Sequence, residues 1–152
     1  MQETLPDQLD AVLAALGSRY RSIGFGRSAG RSGESCPLIW DDSRLSLLDW
    51  RQEALSDEPD KPGSGSWGNL IPRIVVDATF RDVATGREMR AVNTHLDPLS
   101  RRSRVRSVSA IRQSVTGSTL PTIVLGDFNT TAGSATHRTL TGHSCSASSP
   151  PF

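Results

Sequence analysis

TIVLGDFN, residues 122–129, is the stretch from which the rest of the chain can be read. Thr122, Ile123, Val124 and Leu125 follow Pro121 as a short, apolar, β-branched run. Such a run predicts a buried strand rather than one with a wet face. Gly126 breaks it. Asp127 and Asn129 then come at alternate positions, so an extended backbone points both side chains one way, at the carboxyl end of a strand where layered α/β proteins carry ligand sites. A carboxylate and a carboxamide on one side can hold a hard cation, orient a water or donate to a phosphate oxygen. Gly, Asp and Asn are also the residues that turns prefer, so a plain strand-ending turn stands beside the site reading at this point.

Upstream of it, Arg73–Arg81 and Glu88–His95 read as two strands around a Thr85-Gly86 turn, and the second ends in Asn93-Thr94-His95-Leu96-Asp97 before Pro98. Ser100–Val115 has the period of a helix: Val105, Val108, Ile111 and Val115 are apolar, and Arg101, Arg102, Arg104, Arg106 and Arg112 lie largely on the other faces. That arginine surface could meet phosphates but is read as a solvated face. Pro6–Leu16 predicts a first helix with one buried face, ended by Gly17. Tyr20–Phe25 predicts a strand, and Leu38–Trp40 with Leu45–Trp50 a hairpin about Asp41, Asp42 and Ser43. The Gly24–Gly33 loop lacks dinucleotide-fingerprint spacing and is not read as a phosphate cradle. Gln52–Gly68, rich in Pro, Gly and Ser, predicts a long surface loop, and Gly133–Leu140 a short helix.

A length of 152 residues suffices for one domain with a real core but not for two comfortable ones. Seventeen basic and sixteen acidic residues leave a formal charge of +1, so no overall field recruits nucleic acid or a membrane surface. Cys36 and Cys145 are far apart and make no disulfide framework. No apolar run approaches a membrane span, and Met1 is followed by Gln2 and Glu3 rather than by a basic, apolar leader. The default expectation is a cytoplasmic protein, although an N-terminus missing from the chain could have carried a signal.

The pieces able to do chemistry are Glu3, the Asn93–Asp97 stretch, Asp127 and Asn129. Carboxylate plus carboxamide without a thiol suits magnesium or manganese better than zinc. Histidine beside such an ion suits phosphate ester hydrolysis: the metal neutralises phosphate charge, a carboxylate orients water, and imidazolium bonds a phosphate oxygen or protonates the leaving oxygen. Taken singly, Glu3 could merely favour a helix N-terminus and His95 could be structural; their combination carries the reading. A zinc module from His137, His143 and Cys145 with His95 or Cys36 is the weaker alternative, because the spacing is loose and the segment Ser-rich.

QETLPDQL, NTHLD and LGDFN, in that order, resemble the endonuclease/exonuclease/phosphatase superfamily, the fold of deoxyribonuclease I, exonuclease III and the sphingomyelinases. GRSAGRSGESCPLIW and SDEPDKPGSGSWGNLIPRI resemble a bacterial branch of it. The resemblance implies an α+β fold, a layered α/β sandwich of the deoxyribonuclease I-like type. It implies Glu3 as the metal carboxylate, with Asp127 and Asn129 as further metal or phosphate contacts, and magnesium or manganese as the ion. It implies His95 as the phosphate-contacting or acid histidine and Asp127 as the group that orients the attacking water. Glu34, Arg73 and Asp97 form a second rank of substrate contacts.

The superfamily pattern also has an Asn-bearing strand before the QE motif and a Ser-Asp-His ending, and neither has a match here. The expectation is therefore a domain over residues 1–142 without its first and last strands, followed by a low-complexity, disordered tail over 143–152. Its edges would stay open to a complementing chain or a second copy. The function that follows is a divalent-metal-dependent phosphoesterase acting on a phosphate ester, with nucleic acid open as a substrate. The alternative is a non-catalytic fragment or pseudoenzyme that needs a partner to complete the fold.

Overall fold

Helix α1 (Pro6–Leu16) is followed by strands β1 (Tyr20–Ile23), β2 (Leu38–Asp41), β3 (Leu45–Ala54), β4 (Ile74–Asp82) and β5 (Glu88–His95). Helix α2 (Arg101–Thr116), strand β6 (Thr122–Asp127) and helix α3 (Ala135–Thr141) complete the order. The structure is a computed structural model and describes residues 1–142. The expected tail, with His143 and Cys145, lies outside the described residues. The described residues form two sheets: an antiparallel β1-β2 pair, and a four-stranded sheet in the order β3-β4-β5-β6. Within the larger sheet only β5 and β6 run parallel. A parallel pair needs a crossover, and α2 supplies it.

The β-strand period builds one core on each face of the larger sheet. On one face Cys36, Leu38 and Trp40 of the small sheet and its approach meet Ile74, Val76, Ala78 and Phe80 of β4 and Ala91 of β5. On the other, Val75 and Val92 meet Val108 and Ile111 of α2, with Leu55, Trp67 and Leu96. Leu96 and Val108 are wholly buried, and transfer out of water is worth about 1.5–3 kcal/mol for each. Helix α2 begins where Ser100 Oγ accepts from the Ser103 N–H at 3.1 Å, a cap that anchors the chain just after the β5 motif. The result is the layered sandwich anticipated from the motifs, with a mixed central sheet backed by helices. Among the described residues no helix is long and apolar enough to cross a membrane.

Four expectations are corrected. Leu38–Asp41 and Leu45–Ala54 do not pair with each other; β2 pairs with β1 and β3 with β4. The Asp41–Arg44 turn instead carries the chain from one sheet to the other, and Leu38, Trp40, Leu45 and Leu47 all reach the same core from opposite sides. Helix α1 buries no residue fully; Leu9, Val12 and Leu13 of its apolar stripe are half-buried, and Leu5 and Leu16 are exposed. Strand β6 is not buried on both faces. Val124 packs under the helices, whereas Ile123 and Leu125 are 50% and 46% exposed, since among the described residues no strand covers that side. The Gln52–Gly68 loop is likewise shorter than expected, as β3 extends to Ala54 and Trp67 folds back into the core.

Candidate active site

The parallel pairing of β5 with β6 sets His95 directly against Asp127. Gly126 makes this approach feasible. Its φ is +150°, and a Cβ there would run into the Thr94 carbonyl oxygen, so only glycine lets the strands close at this point. Asp127 ends β6, and its Oδ1 then accepts the Asn129 N–H at 2.8 Å, with Asn129 at φ +44°. The extended geometry expected for Asp127 and Asn129 is thus replaced by an Asx turn. Both readings of the stretch apply together: the turn is what swings the Asn129 carboxamide back over β5.

Asn129 fixes the tautomer of His95. Its Nδ2 donates to the Leu96 carbonyl at 2.8 Å and lies 2.9 Å from His95 Nε2. A carbonyl can only accept, so the atom facing both groups is the amide nitrogen and His95 Nε2 must be the acceptor. The ring proton of neutral His95 therefore sits on Nδ1, which is buried, has no hydrogen-bond partner, and lies 3.7 Å from Glu3 Oε1. Burial, followed by the charge of Arg73, holds the His95 pKa below its usual value, against the opposing pull of Glu3 and Asp127. The imidazolium expected from sequence is accordingly disfavoured near neutrality.

Glu3 reaches this place through an elaborate anchor. The Asn93 amide, 1% exposed, donates to the carbonyls of Met1, Cys36 and Pro37 and accepts from Gln2 Nε2 at 2.9 Å. Thr4 and Ser35 exchange backbone hydrogen bonds at 3.1 and 2.9 Å. Between these clamps Glu3 sits at φ +53°, a left-handed conformation that persists only where its surroundings over-determine it. Its side chain is 62% exposed beside His95. Asn93 and Gln2 thus position the acid, a role for Gln2 that only its place in the QE motif could have signalled.

The second-rank residues also gather. Glu3, His95, Arg73, Arg27 and Glu34 line one pocket, closed inward by Cys36 and Ile74. Arg27 pairs with Glu34. Arg27 was not singled out in the sequence because its loop lacks any phosphate-binding signature. Arg73 Nε lies 3.5 Å from Asp97 Oδ2, and both side chains are buried. Asp97 Oδ1 accepts from the Leu99 and Ser100 N–H groups at 2.9 and 2.6 Å. Burial alone would raise the Asp97 pKa, but these bonds and Arg73 outweigh it and hold the carboxyl below the usual range. Of the helix arginines, Arg104 donates to the Asp97 and Pro98 carbonyls, Arg106 reaches Asp57, and Arg112 caps Thr139.

Hard oxygen donors are available in Glu3 and Asp127, while Cys36 is pushed up to about 11 by burial and stays a thiol at neutral pH. Among the described residues no three His, Cys, Asp or Glu side chains converge as a cage. Such a donor set fits a cation that keeps most of its waters, as magnesium does, and does not fit a closed zinc site.

A mixed central sheet backed by helices, with His95 and Asp127 at the ends of its parallel strands and Glu3 and Asn129 brought beside them from flanking segments, has the architecture of the deoxyribonuclease I-like fold. Solved structures agree. An endonuclease/exonuclease/phosphatase from Bacteroides vulgatus is 35% identical, with a TM-score of 0.87 over 94% of this chain and 56% of its own. A family member from Bacteroides thetaiotaomicron is 29% identical, with a TM-score of 0.87 over 93% and 52%. A mannosyl-6-phosphatase from Bacteroides thetaiotaomicron is 27% identical, with a TM-score of 0.85 over 93% and 54%. By fold and sequence likeness the chain is assigned to the endonuclease/exonuclease/phosphatase superfamily. It spans about half the length of each of these structures. No protein-family model matches it, and no curated protein matches it significantly.

Proposed function

We propose that the chain carries the core of a divalent-metal-dependent phosphoesterase, one that hydrolyses a phosphate ester by attack of water on phosphorus. One observation carries this reading: Glu3, His95, Asp127 and Asn129, drawn from three separated stretches of sequence, meet at one edge of the sheet around the His95–Asn129 contact. The names of the similar structures, an endonuclease/exonuclease/phosphatase and a mannosyl-6-phosphatase, support phosphate ester chemistry in general.

Glu3, Asp127 and the Oδ1 of Asn129 are the groups that would hold magnesium or manganese, which when bound neutralises charge on the phosphate. Asp127 orients the attacking water and takes its proton as the new P–O bond forms. His95, kept neutral with its proton on Nδ1, donates to a non-bridging oxygen. The departing ester oxygen takes a proton from solvent as its bond to phosphorus breaks. Asn129 holds the imidazole in that tautomer, as the hydrogen bond on the far nitrogen sets the role of the near one.

A second reading, a non-catalytic chain that needs a partner, is favoured by the exposed Ile123 and Leu125 on β6. The deciding assay measures magnesium-dependent release of p-nitrophenol from mono- and bis-p-nitrophenyl phosphate. Turnover that is abolished by EDTA and by Asp127→Ala supports the hydrolase. A folded chain with no turnover in magnesium or in manganese leaves the second reading.

A further inference from the structure

The geometry points to a second ligand site, on the helix side of the larger sheet and separate from the candidate active site, that takes a small neutral molecule with an apolar, ring-sized body and one hydrogen-bond donor. It goes beyond the phosphoesterase reading and does not rest on it.

A cavity of about 210 Å³ lies between α2 and strands β3, β4 and β5. Leu55, Trp67, Val75, Val92 and Ile111 form its walls, all of them buried. Its rim includes Pro59 and Ala110, which are exposed. Native interiors leave few voids larger than one water, and an apolar cavity of about 150 Å³ stays dry and takes up benzene. The space here admits a ring with a substituent. None of its lining residues belongs to the pocket of Glu3, Arg73 and His95. Side chains alternate along β5, and Val92 lies in the core under α2, so His95 projects from the other face of the sheet.

The polar end of the cavity decides what the ligand carries. Arg90 Nε donates to Asp77 Oδ1 at 2.6 Å and its Nη1 to the Ser114 carbonyl at 2.8 Å, while Nη2 donates to Asp77 Oδ2 and Ser114 Oγ. Ser56 Oγ is taken up by Ser64 and by the Glu58 N–H. These groups have no capacity to spare. Glu53 differs. It stands opposite Val75 in the β3–β4 register, on the side that faces α2. Among the described residues its one partner is Arg51, whose Nη1 is 3.2 Å from Oε1 and whose other nitrogens serve Asp77 and Ser114. Glu53 Oε2 is therefore the acceptor left for a ligand. Two carboxylates, Glu53 and Asp77, are matched by two guanidiniums, Arg51 and Arg90, so the cluster has no net charge. An ionic ligand would be desolvated there without a counter-ion. A neutral hydroxyl instead makes a charge-assisted bond to the carboxylate.

The test is an NMR titration of the methyl-labelled whole chain, in sealed tubes, with p-cresol, toluene, 4-methylbenzoate and benzylammonium. Wild-type chain should bind p-cresol with a Kd below about 1 mM, with ligand contacts to the methyl groups of Val75, Val92 and Ile111. Toluene, which lacks the donor, and the two ions should each bind at least about tenfold more weakly. Ala110→Phe places a ring at the rim from an exposed helix position and should weaken p-cresol at least about tenfold while still melting cooperatively. Glu53→Leu removes the acceptor without touching α2, and should erase the difference between p-cresol and toluene; it also serves if Ala110→Phe does not fold. No p-cresol binding by the wild type would overturn the site. So would ligand contacts that avoid these three methyl groups, or unchanged affinity in folded Ala110→Phe. Toluene or either ion binding as well as p-cresol, or a p-cresol preference that survives Glu53→Leu, would overturn the ligand class.

Discussion

His95 and Asp127 lie opposite each other across the parallel β5–β6 pair, and the Leu96 N–H donates to the Asp127 carbonyl at 2.9 Å. The backbone ladder itself therefore sets the spacing of the two groups. Side-chain changes at Asp127 should spare the fold, since its carboxylate contributes only the Asx-turn bond to Asn129. Asp127→Ala is expected to lower kcat/KM by roughly 10²–10⁴. Its thermal midpoint should stay within a few degrees of wild type, as judged by circular dichroism; a variant that retains most of the turnover would remove Asp127 from the mechanism.

The Asp127-Phe128-Asn129 turn shows how much the sequence disclosed and where it stopped. Element positions were legible because strand and helix periods are local: Pro6–Leu16, the β4–β5 hairpin and α2 all fall where the apolar spacing put them. Partnership was not legible. Leu38–Asp41 and Leu45–Ala54 joined by a tight turn look like a hairpin, and nothing local reveals that each pairs elsewhere. The exposure of Ile123 was hidden for the same reason, since a β-branched run reads alike whether or not a neighbour covers it. Among site residues, Glu3, His95, Asp127 and Asn129 carried motif signals, whereas Arg27 came into the pocket only through the fold of its loop.

Gly126→Ala tests the close approach of β6 to β5. The new methyl would meet the Thr94 carbonyl, in a backbone conformation that alanine adopts poorly. The expected loss is at least about 2 kcal/mol of unfolding free energy, read from urea denaturation. The gap it forces open also separates His95 from Asp127, so activity should fall by more than the unfolded fraction accounts for. A variant as stable as wild type would show that the strands can part without cost.

The Arg73–Asp97 pair gives the acid limb of stability. The folded Asp97 carboxyl has its pKa held below the usual range, by backbone hydrogen bonds and Arg73 acting against burial. A group of this sign adds stability that is fully present above about pH 4, its unfolded value, and is lost as pH falls through the folded one. Asp97→Asn should flatten that decline. At neutral pH, Asp97→Ala should cost about 3–5 kcal/mol, because it leaves the Arg73 charge buried and uncompensated. Thermal melts from pH 7 down to pH 3 make the comparison; parallel curves for wild type and Asp97→Asn would assign the acid sensitivity elsewhere.

The outer side of β6 predicts association. Ile123 and Leu125 present apolar surface beside a strand edge that, among the described residues, has no partner. Such edges recruit further strands. Sedimentation velocity should show association of the wild-type chain that rises with concentration, and Ile123→Lys/Leu125→Lys should suppress it, since charged edge residues block strand addition. Monomeric wild type at all concentrations would show that this surface recruits nothing of its own kind.

The state of His95 is open to direct observation. Burial and Arg73 depress its pKa while Glu3 and Asp127 support it, so each neighbour predicts a displacement of known sign. Removing a positive charge with Arg73→Met/Asp97→Leu should raise the His95 midpoint relative to wild type, because the Arg73 guanidinium is the strongest of the charges that act on the ring. Glu3→Gln removes a supporting negative charge and should lower it. Long-range proton–nitrogen NMR of the imidazole follows both midpoints and reads the tautomer, which the Asn129 amide places on Nδ1. Asn129→Asp would replace the donor by an acceptor and should move the proton to Nε2. Detection of the Nε2–H form in the wild type would mean that Asn129 does not orient the ring, and the assignment of His95 as an Nδ1–H donor to phosphate would fall with it.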